Sequence, residues 1–217
     1  MSHVQSRNAK DEAAALLKTS ITWREKTYPV RKSVFLNDPL FKNGAFFAYG
    51  KDIRGRPVIV VRSRCFCPNE RDLDAAKASA AYVFGHCLTQ FPSNSRFTII
   101  YDREGFSLRK NWDKELIKEI IEVCQNNFPE RLNRILVYPC GWVFNTLWAV
   151  VRLFMDDAVR QKVVLLSSKE EFAEYIDPSE LLKEHGGTVA IDFNPDAYGE
   201  ELPDEVKNPS PWLRESE

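Results

Sequence analysis

Residues 128 to 166 read FPERLNRILVYPCGWVFNTLWAVVRLFMDDAVRQKVVLL. Phe128-Pro129-Glu130-Arg131 breaks a helix, and Arg134 to Tyr138 (RILVY) reads as a strand. Gly141 to Met155 is an apolar helix, and Lys162 to Leu166 (KVVLL) is the next strand. Strand, helix and strand in that order is the unit from which parallel sheets are built.

The same alternation extends upstream. Trp112 to Asn127 carries Leu116, Ile117, Ile120, Ile121 and Cys124 at the spacing of an amphipathic helix, and Arg96 to Asp102 (RFTIIYD) reads as a buried strand. Asn69 is placed to cap a long helix from about Glu70 to Gln90, closed at Phe91-Pro92. A hairpin precedes it: Ala45 to Tyr49, a turn over Gly50 to Gly55, then Pro57 to Arg62. Tyr28 to Asn43 reads as irregular, and residues 11 to 23 (DEAAALLKTSITW) as a helix ending near Trp23-Arg24. Downstream, Ser168 to Tyr175 is expected to form a short helix capped by Ser167 or Ser168. The tail from Asp192, with four prolines, is expected to be extended. The expected class is α/β, a mixed sheet with right-handed crossovers.

The 217 residues suit one domain, and 44% hydrophobic content suffices for a core. Three segments are expected: a helical stretch over 1–30, a main domain over 31–200 and an extended tail over 201–217. A formal net charge of -1 gives no reason to expect nucleic acid. The N-terminus lacks the apolar core of a secretory signal, and no run is long and apolar enough to span a bilayer. Five cysteines without framework spacing predict reduced thiols and a cytoplasmic protein. Cys65-Phe-Cys67 has no second ligand pair at zinc-like spacing, so no metal is expected.

Enzymatic motifs are missing. The glycines of 50–55 fall in a hairpin rather than between strand and helix, and no Gly-x-Ser-x-Gly occurs. His3, His86 and His185 have no evident orienting partner for general-base work, so no catalytic residue and no cofactor are expected. The helix over 142–155 stands out instead. At about 21 Å it is too short to cross a membrane, yet only Asn145, Thr146 and Arg152 are clearly polar. Such a helix is either a central core element or borders something apolar that is not protein. Arg131, Arg134, Arg160 and Lys162 flank it and could meet anionic headgroups, with the tryptophans at an interface.

Several stretches in order carry a resemblance: Asp52-Ile-Arg-Gly-Arg-Pro-Val58, Tyr101-Asp-Arg-Glu-Gly105, Phe128 to Val137, Trp142 to Trp148, Phe154-Met-Asp156, Lys162-Val-Val and Pro178 to Gly187. Together they resemble CRAL-TRIO lipid-binding domains. The resemblance implies a mixed sheet flooring an apolar pocket, closed by a mobile gate helix near 142–155. It implies binding of one lipid, with phosphatidylinositol the leading candidate, by a monomer that meets membrane surfaces transiently. The headgroup set it implies is Glu130, Lys162 and Asp156. The pocket and gate set is Ile99, Tyr101, Ile135, Val137, Trp142, Phe144, Leu147, Trp148, Val151 and Phe154. Val159 stands where the family's Pro-x-Thr places a threonine, and the family's basic N-terminal segment is nearly missing. Two other readings stay open: a regulatory protein-interaction domain with a collapsed pocket, and a carrier of a retinoid, tocopherol, sterol or haem, with Tyr101, Tyr138 or His86 facing the ligand.

Overall fold

A computed structural model describes residues 3–27, 30–90, 96–190 and 193–194. The Phe91-Pro92 break and the tail beyond Asn194 lie outside them. The elements in chain order are α1 His3–Thr27, α2 Pro39–Lys42, β1 Phe46–Lys51, β2 Pro57–Arg62, α3 Leu73–Gln90, β3 Phe97–Asp102, α4 Leu108–Asn111, α5 Lys114–Asn127, β4 Leu132–Tyr138, α6 Trp142–Val151, α7 Asp157–Arg160 and β5 Val163–Leu165. None of the described helices is long and apolar enough to cross a membrane.

The five strands form one mixed sheet in sequence order β1-β2-β3-β4-β5. β1 and β2 are antiparallel, and every later pair is parallel. Parallel neighbours added in one direction, each by a crossover of the same hand, must place all their connecting helices on one face. α3, α5 and α6 therefore share a face, and Phe84 of α3 stacks there on Phe97 at 5.3 Å. Strand alternation divides the side chains cleanly. Phe97, Ile99 and Tyr101 point to the helical face, while Thr98, Ile100 and Asp102 point away from it.

The opposite face is covered by residues 166 to 190, which are mostly irregular. Leu166, Phe172, Ile176, Leu181 and Leu182 are buried against it. Phe172 meets Tyr138 edge-on at 5.8 Å, and Arg134 lies over the Tyr175 ring at 4.9 Å. The Gly186-Gly187 pair is a steric requirement of this segment. Gly186 has φ 92°, and a Cβ on Gly187 would stand 1.9 Å from the Leu181 carbonyl oxygen. Polar groups fasten the covering: Arg62 donates to Glu184, and Arg64 bridges Asp102 and Glu184. His185 is buried beside them, with Nε2 3.4 Å from Asp102 Oδ2.

Side-chain caps set several boundaries. The Asp72 carboxylate accepts from the N–H groups of Asp74 and Ala75, so α3 begins at Leu73 and not at Glu70 behind Asn69. Asp113 caps α5 at Leu116 N and also receives Arg71. Instead of a serine cap, Glu171 accepts from Ser167 and Ser168 N–H, and the short helix reduces to a 3-10 turn over Glu170–Glu174. α1 runs beyond Trp23-Arg24 and seals the far end of α5. There the Asn127 carbonyl, left over at a helix terminus, receives Ser20 Oγ at 2.9 Å and Arg24 Nη2 at 2.7 Å.

Asp102 carries the strongest expectation for stability. Burial alone would push its carboxyl up, but His185, the Glu104 N–H and the Arg64 charge outweigh it and hold the group below the usual range. A depressed folded value means that the stabilisation is complete above the ordinary aspartate value of about 3.9 and is lost as pH falls through the lower folded value. Asp102→Ala should cost about 3–5 kcal/mol, because it strips a buried partner from Arg64. Urea unfolding at pH 7 and on an acid series checks both points. A loss below about 1 kcal/mol at pH 7 would show that Arg64 is satisfied by Glu184 alone.

Candidate functional site

Between the helical face of the sheet and helices α5 and α6 lies an apolar cavity of about 220 Å³. Its floor includes Val61, Ile99, Tyr101, Ile135 and Val137. One wall is the apolar stripe of α5, Leu116, Ile117, Ile120, Ile121 and Cys124. The roof is α6, contributing Phe144, Leu147, Trp148 and Val151 at i, i+3, i+4 and i+7, the spacing of a single helical face. Leu16 of α1 also reaches the cavity, so the first helix contributes to the site.

The side chains of α6 resolve the ambiguity of its sequence. Phe144 is buried, Leu147, Trp148 and Val151 are half-buried, and Thr146 and Ala149 are exposed. The helix covers the cavity with one face and leaves the other open, so it is not a central core helix. It is also shorter than the expected 142–155, since Arg152–Phe154 tighten into a 3-10 turn. That tightening changes the rotation per residue. Phe154 consequently does not line the cavity: its ring lies 5.8 Å from Lys114 Nζ, and Met155 takes the inward position. Leu153 stands 74% exposed. The side chain of Trp142 lies outside the described residues.

The cavity has polar groups at both ends of the strands. At the amino end of β4 and β5 stand Glu130, Lys162 and Asp156. Glu130 Oε2 is 4.0 Å from Lys162 Nζ and 3.7 Å from Arg96 Nη2. The Asp156 carboxylate accepts from Val159 N–H at 2.7 Å as the cap of α7. The carboxyl end holds Tyr101 and Arg103, whose guanidinium lies over Phe144 of α6 at 4.8 Å. Burial pushes the Tyr101 phenol up to about 12, opposed by the Arg103 charge. What remains open of the Tyr101 ring faces the cavity.

Nine of the ten expected pocket and gate residues have described side chains, and eight of those nine line the cavity, Phe154 being the exception. Of the flanking cations, Arg134 is turned to the opposite face, over Tyr175, and Arg160 pairs with Asp157 on α7. Tyr138 also packs on that opposite face, and His86 stacks on Tyr82 away from the cavity, so only Tyr101 of the three suggested ring contacts can meet a ligand. Arg103, Phe106 and the whole α5 wall were not anticipated as site residues. The α5 stripe was legible as an apolar face, but Arg103 occupies a variable position of the Asp-x-x-Gly turn and gave no signal.

Residues 41–187 match the CRAL/TRIO domain. The chain belongs to the CRAL/TRIO domain family. Among curated relatives, the CRAL-TRIO domain-containing protein C3H8.02 of Schizosaccharomyces pombe is 25% identical over 82% of this chain and 42% of its own. The phosphatidylinositol/phosphatidylcholine transfer protein SFH12 of Arabidopsis thaliana is 31% identical over 67% of this chain and 30% of its own. The crystal structure of Sfh5 superposes with a TM-score of 0.61 at 19% identity, covering 76% of this chain and 62% of that one, which establishes the likeness of fold. This CRAL/TRIO chain spans 42% and 53% of the two first-matched curated relatives.

The turn at Glu130 separates two contributions of one residue. Its φ of 57° is left-handed, a conformation that costs a non-glycine residue about 1–2 kcal/mol. Its carboxylate is 77% exposed, so its ion pairs contribute little to stability. Glu130→Gly should therefore leave the melting temperature unchanged or raised while removing the carboxylate from Lys162. A melting temperature that drops by several degrees would mean that the pair holds the turn in place.

Proposed function

We propose that this chain holds one lipid in the cavity, acyl chains against the apolar walls, and exchanges it at membrane surfaces by displacement of α6. The observation that carries the reading is the cavity itself, floored by the sheet and roofed by a helix whose outer face is open. At about 24 cal/mol per Å³, leaving about 220 Å³ unfilled would cost on the order of 5 kcal/mol. Apolar cavities of this kind stay dry rather than fill with water. A buried methylene contributes about 0.8 kcal/mol, so an acyl chain is a strong occupant. The names of relatives such as SFH12 support a phospholipid. The open cavity argues against a collapsed pocket serving only protein contacts.

Phosphatidylinositol is the leading ligand, with its phosphate at Lys162 and Glu130 orienting the lysine. Val159 supplies no hydroxyl at the same mouth, so Lys162 carries the larger share of recognition there. Binding without turnover is the expected activity. Neither His86 nor His185 borders the cavity, and burial pushes the thiol of Cys124 well above its ordinary range, disfavouring the nucleophilic thiolate. As a gate, α6 would swing between Gly141, an N-cap without a side-chain bond, and the 3-10 turn at Arg152–Phe154.

Solvent extraction of the purified protein followed by mass spectrometry should recover about one lipid per chain. Only trace lipid would overturn the carrier reading. Lys162→Ala should weaken phosphatidylinositol binding about tenfold or more, the worth of a charge-assisted hydrogen bond, and leave phosphatidylcholine nearly unchanged. Equal losses for the two lipids in a vesicle transfer assay would place headgroup recognition elsewhere. Trp148→Ala should change the rate of exchange between vesicles more than it lowers the melting temperature, and a purely thermal defect would make α6 an ordinary packing element.

A further inference from the structure

The carboxyl end of the cavity contains a cation with no anionic partner among the described residues. Arg103 is only 8% exposed and shares the sheet face of Tyr101. Its Nη1 donates to the Pro139 carbonyl at 2.9 Å, and its guanidinium lies over Phe106 at 5.3 Å and over Phe144 at 4.8 Å. Among the described residues no carboxylate stands within ion-pair distance of it. The two neighbouring acids are engaged elsewhere, Asp102 with Arg64 on the opposite face and Glu104 with Lys169 at 2.9 Å. Burial pulls the guanidinium below its ordinary value. The Tyr101 hydroxyl, also on the cavity side, makes no hydrogen bond among the described residues. A guanidinium has five N–H donors, and one carbonyl uses one of them. Burying a charge without a counter-charge is costly, and the usual remedy is an anion with matching geometry.

We infer that the cavity also takes, as an alternative occupant to a phospholipid, a single-chain amphiphile ending in a carboxylate, with the carboxylate held by Arg103 and Tyr101 at the carboxyl end of the strands. This inference rests on the carrier reading and names a ligand class for the same cavity. A carboxylate fits better than a phosphate monoester on two counts. The planar fork of arginine matches it bidentately, and one guanidinium balances one negative charge but not two. The neutral Tyr101 phenol supplies a further donor. Phe106, Phe144 and the apolar walls receive the chain. Strand register places Lys162 level with Thr98, since Ile135 pairs with both Ile99 and Val163. Arg103 is therefore about 16 Å farther along the strands, too far to share one headgroup with the other mouth.

The intact chain, stripped of endogenous lipid on a hydrophobic resin, is titrated with the fluorescent fatty acid cis-parinaric acid and with its methyl ester. The two probes share a chain and differ in charge. The wild type should bind the acid about ten- to a hundredfold more tightly than the ester, the range expected for a net gain of one charge-assisted bond. Arg103→Met, which keeps the length of the stem, should abolish that preference and leave the affinity for the ester as it was. Arg103→Lys should restore part of it, and Tyr101→Phe should reduce it. Equal wild-type affinities for acid and ester would overturn the inference while leaving the carrier reading intact. So would loss of both probes together in Arg103→Met with a lowered melting temperature, because Arg103 would then act only as a clamp on Phe144. Failure of the wild type to bind either probe would likewise overturn the inference, and the carrier reading would still be decided by the lipid recovered on extraction.

Discussion

A sheet whose strands run parallel has to be covered on both faces, because its apolar side chains alternate in direction along every strand. That demand organises this molecule. β2 to β5 are added in one direction, so their connecting helices fall on a single face and leave the other bare. The bare face is closed by an irregular segment that packs Phe172, Ile176, Leu181 and Leu182 where helices would otherwise lie. The helical face has the opposite problem. α3 lies close over β1 and β2 through small residues, Ala76, Ala80 and Ala81 among them. α5 and α6 stand off from β3 to β5 and leave the cavity between them.

Much of this arrangement was readable from residue types. The alternation of strand and helix over 96–166 placed β3, α5, β4, α6 and β5 within a few residues and missed the single turns α4 and α7, because its signals are local: buried β-branched runs, an i, i+3, i+4 stripe, and Pro or Gly at the breaks. The boundaries that moved did so through contacts that local patterns do not carry. Asp72 rather than Asn69 starts α3 because its carboxylate meets two free N–H groups. Phe154 left the cavity because α6 tightens at Arg152, and Met155 returned to it as the chain became extended.

The two charged ends of the cavity illustrate different limits. Glu130 and Lys162 were found through the resemblance, and the fold brings them within 4.0 Å across the gap between the end of α5 and the start of β5. Arg103 was invisible because its importance lies in what surrounds it. An arginine in a turn is ordinarily solvated. Only the closure of Phe106 and Phe144 over it, with both adjacent acids engaged elsewhere, makes its charge conspicuous.

The ionic cluster on the closed face has a mechanical corollary. Arg62 leaves β2, Arg64 follows it, Asp102 ends β3, and Glu184 and His185 belong to the covering segment, so one set of contacts ties two strands and their cover into a block. Shear between β2 and β3 would have to break the direct Arg64–Asp102 contact and strain the part-buried contacts that both strands make with the cover. The restraint is one-sided: the contacts tie the floor of the cavity to its cover, and none of them reaches α6. Under the carrier reading proposed above, a braced floor beneath a less restrained roof would convert the size of an occupant into the position of α6, and the outer surface of that helix would act as a mechanical readout of what lies beneath it.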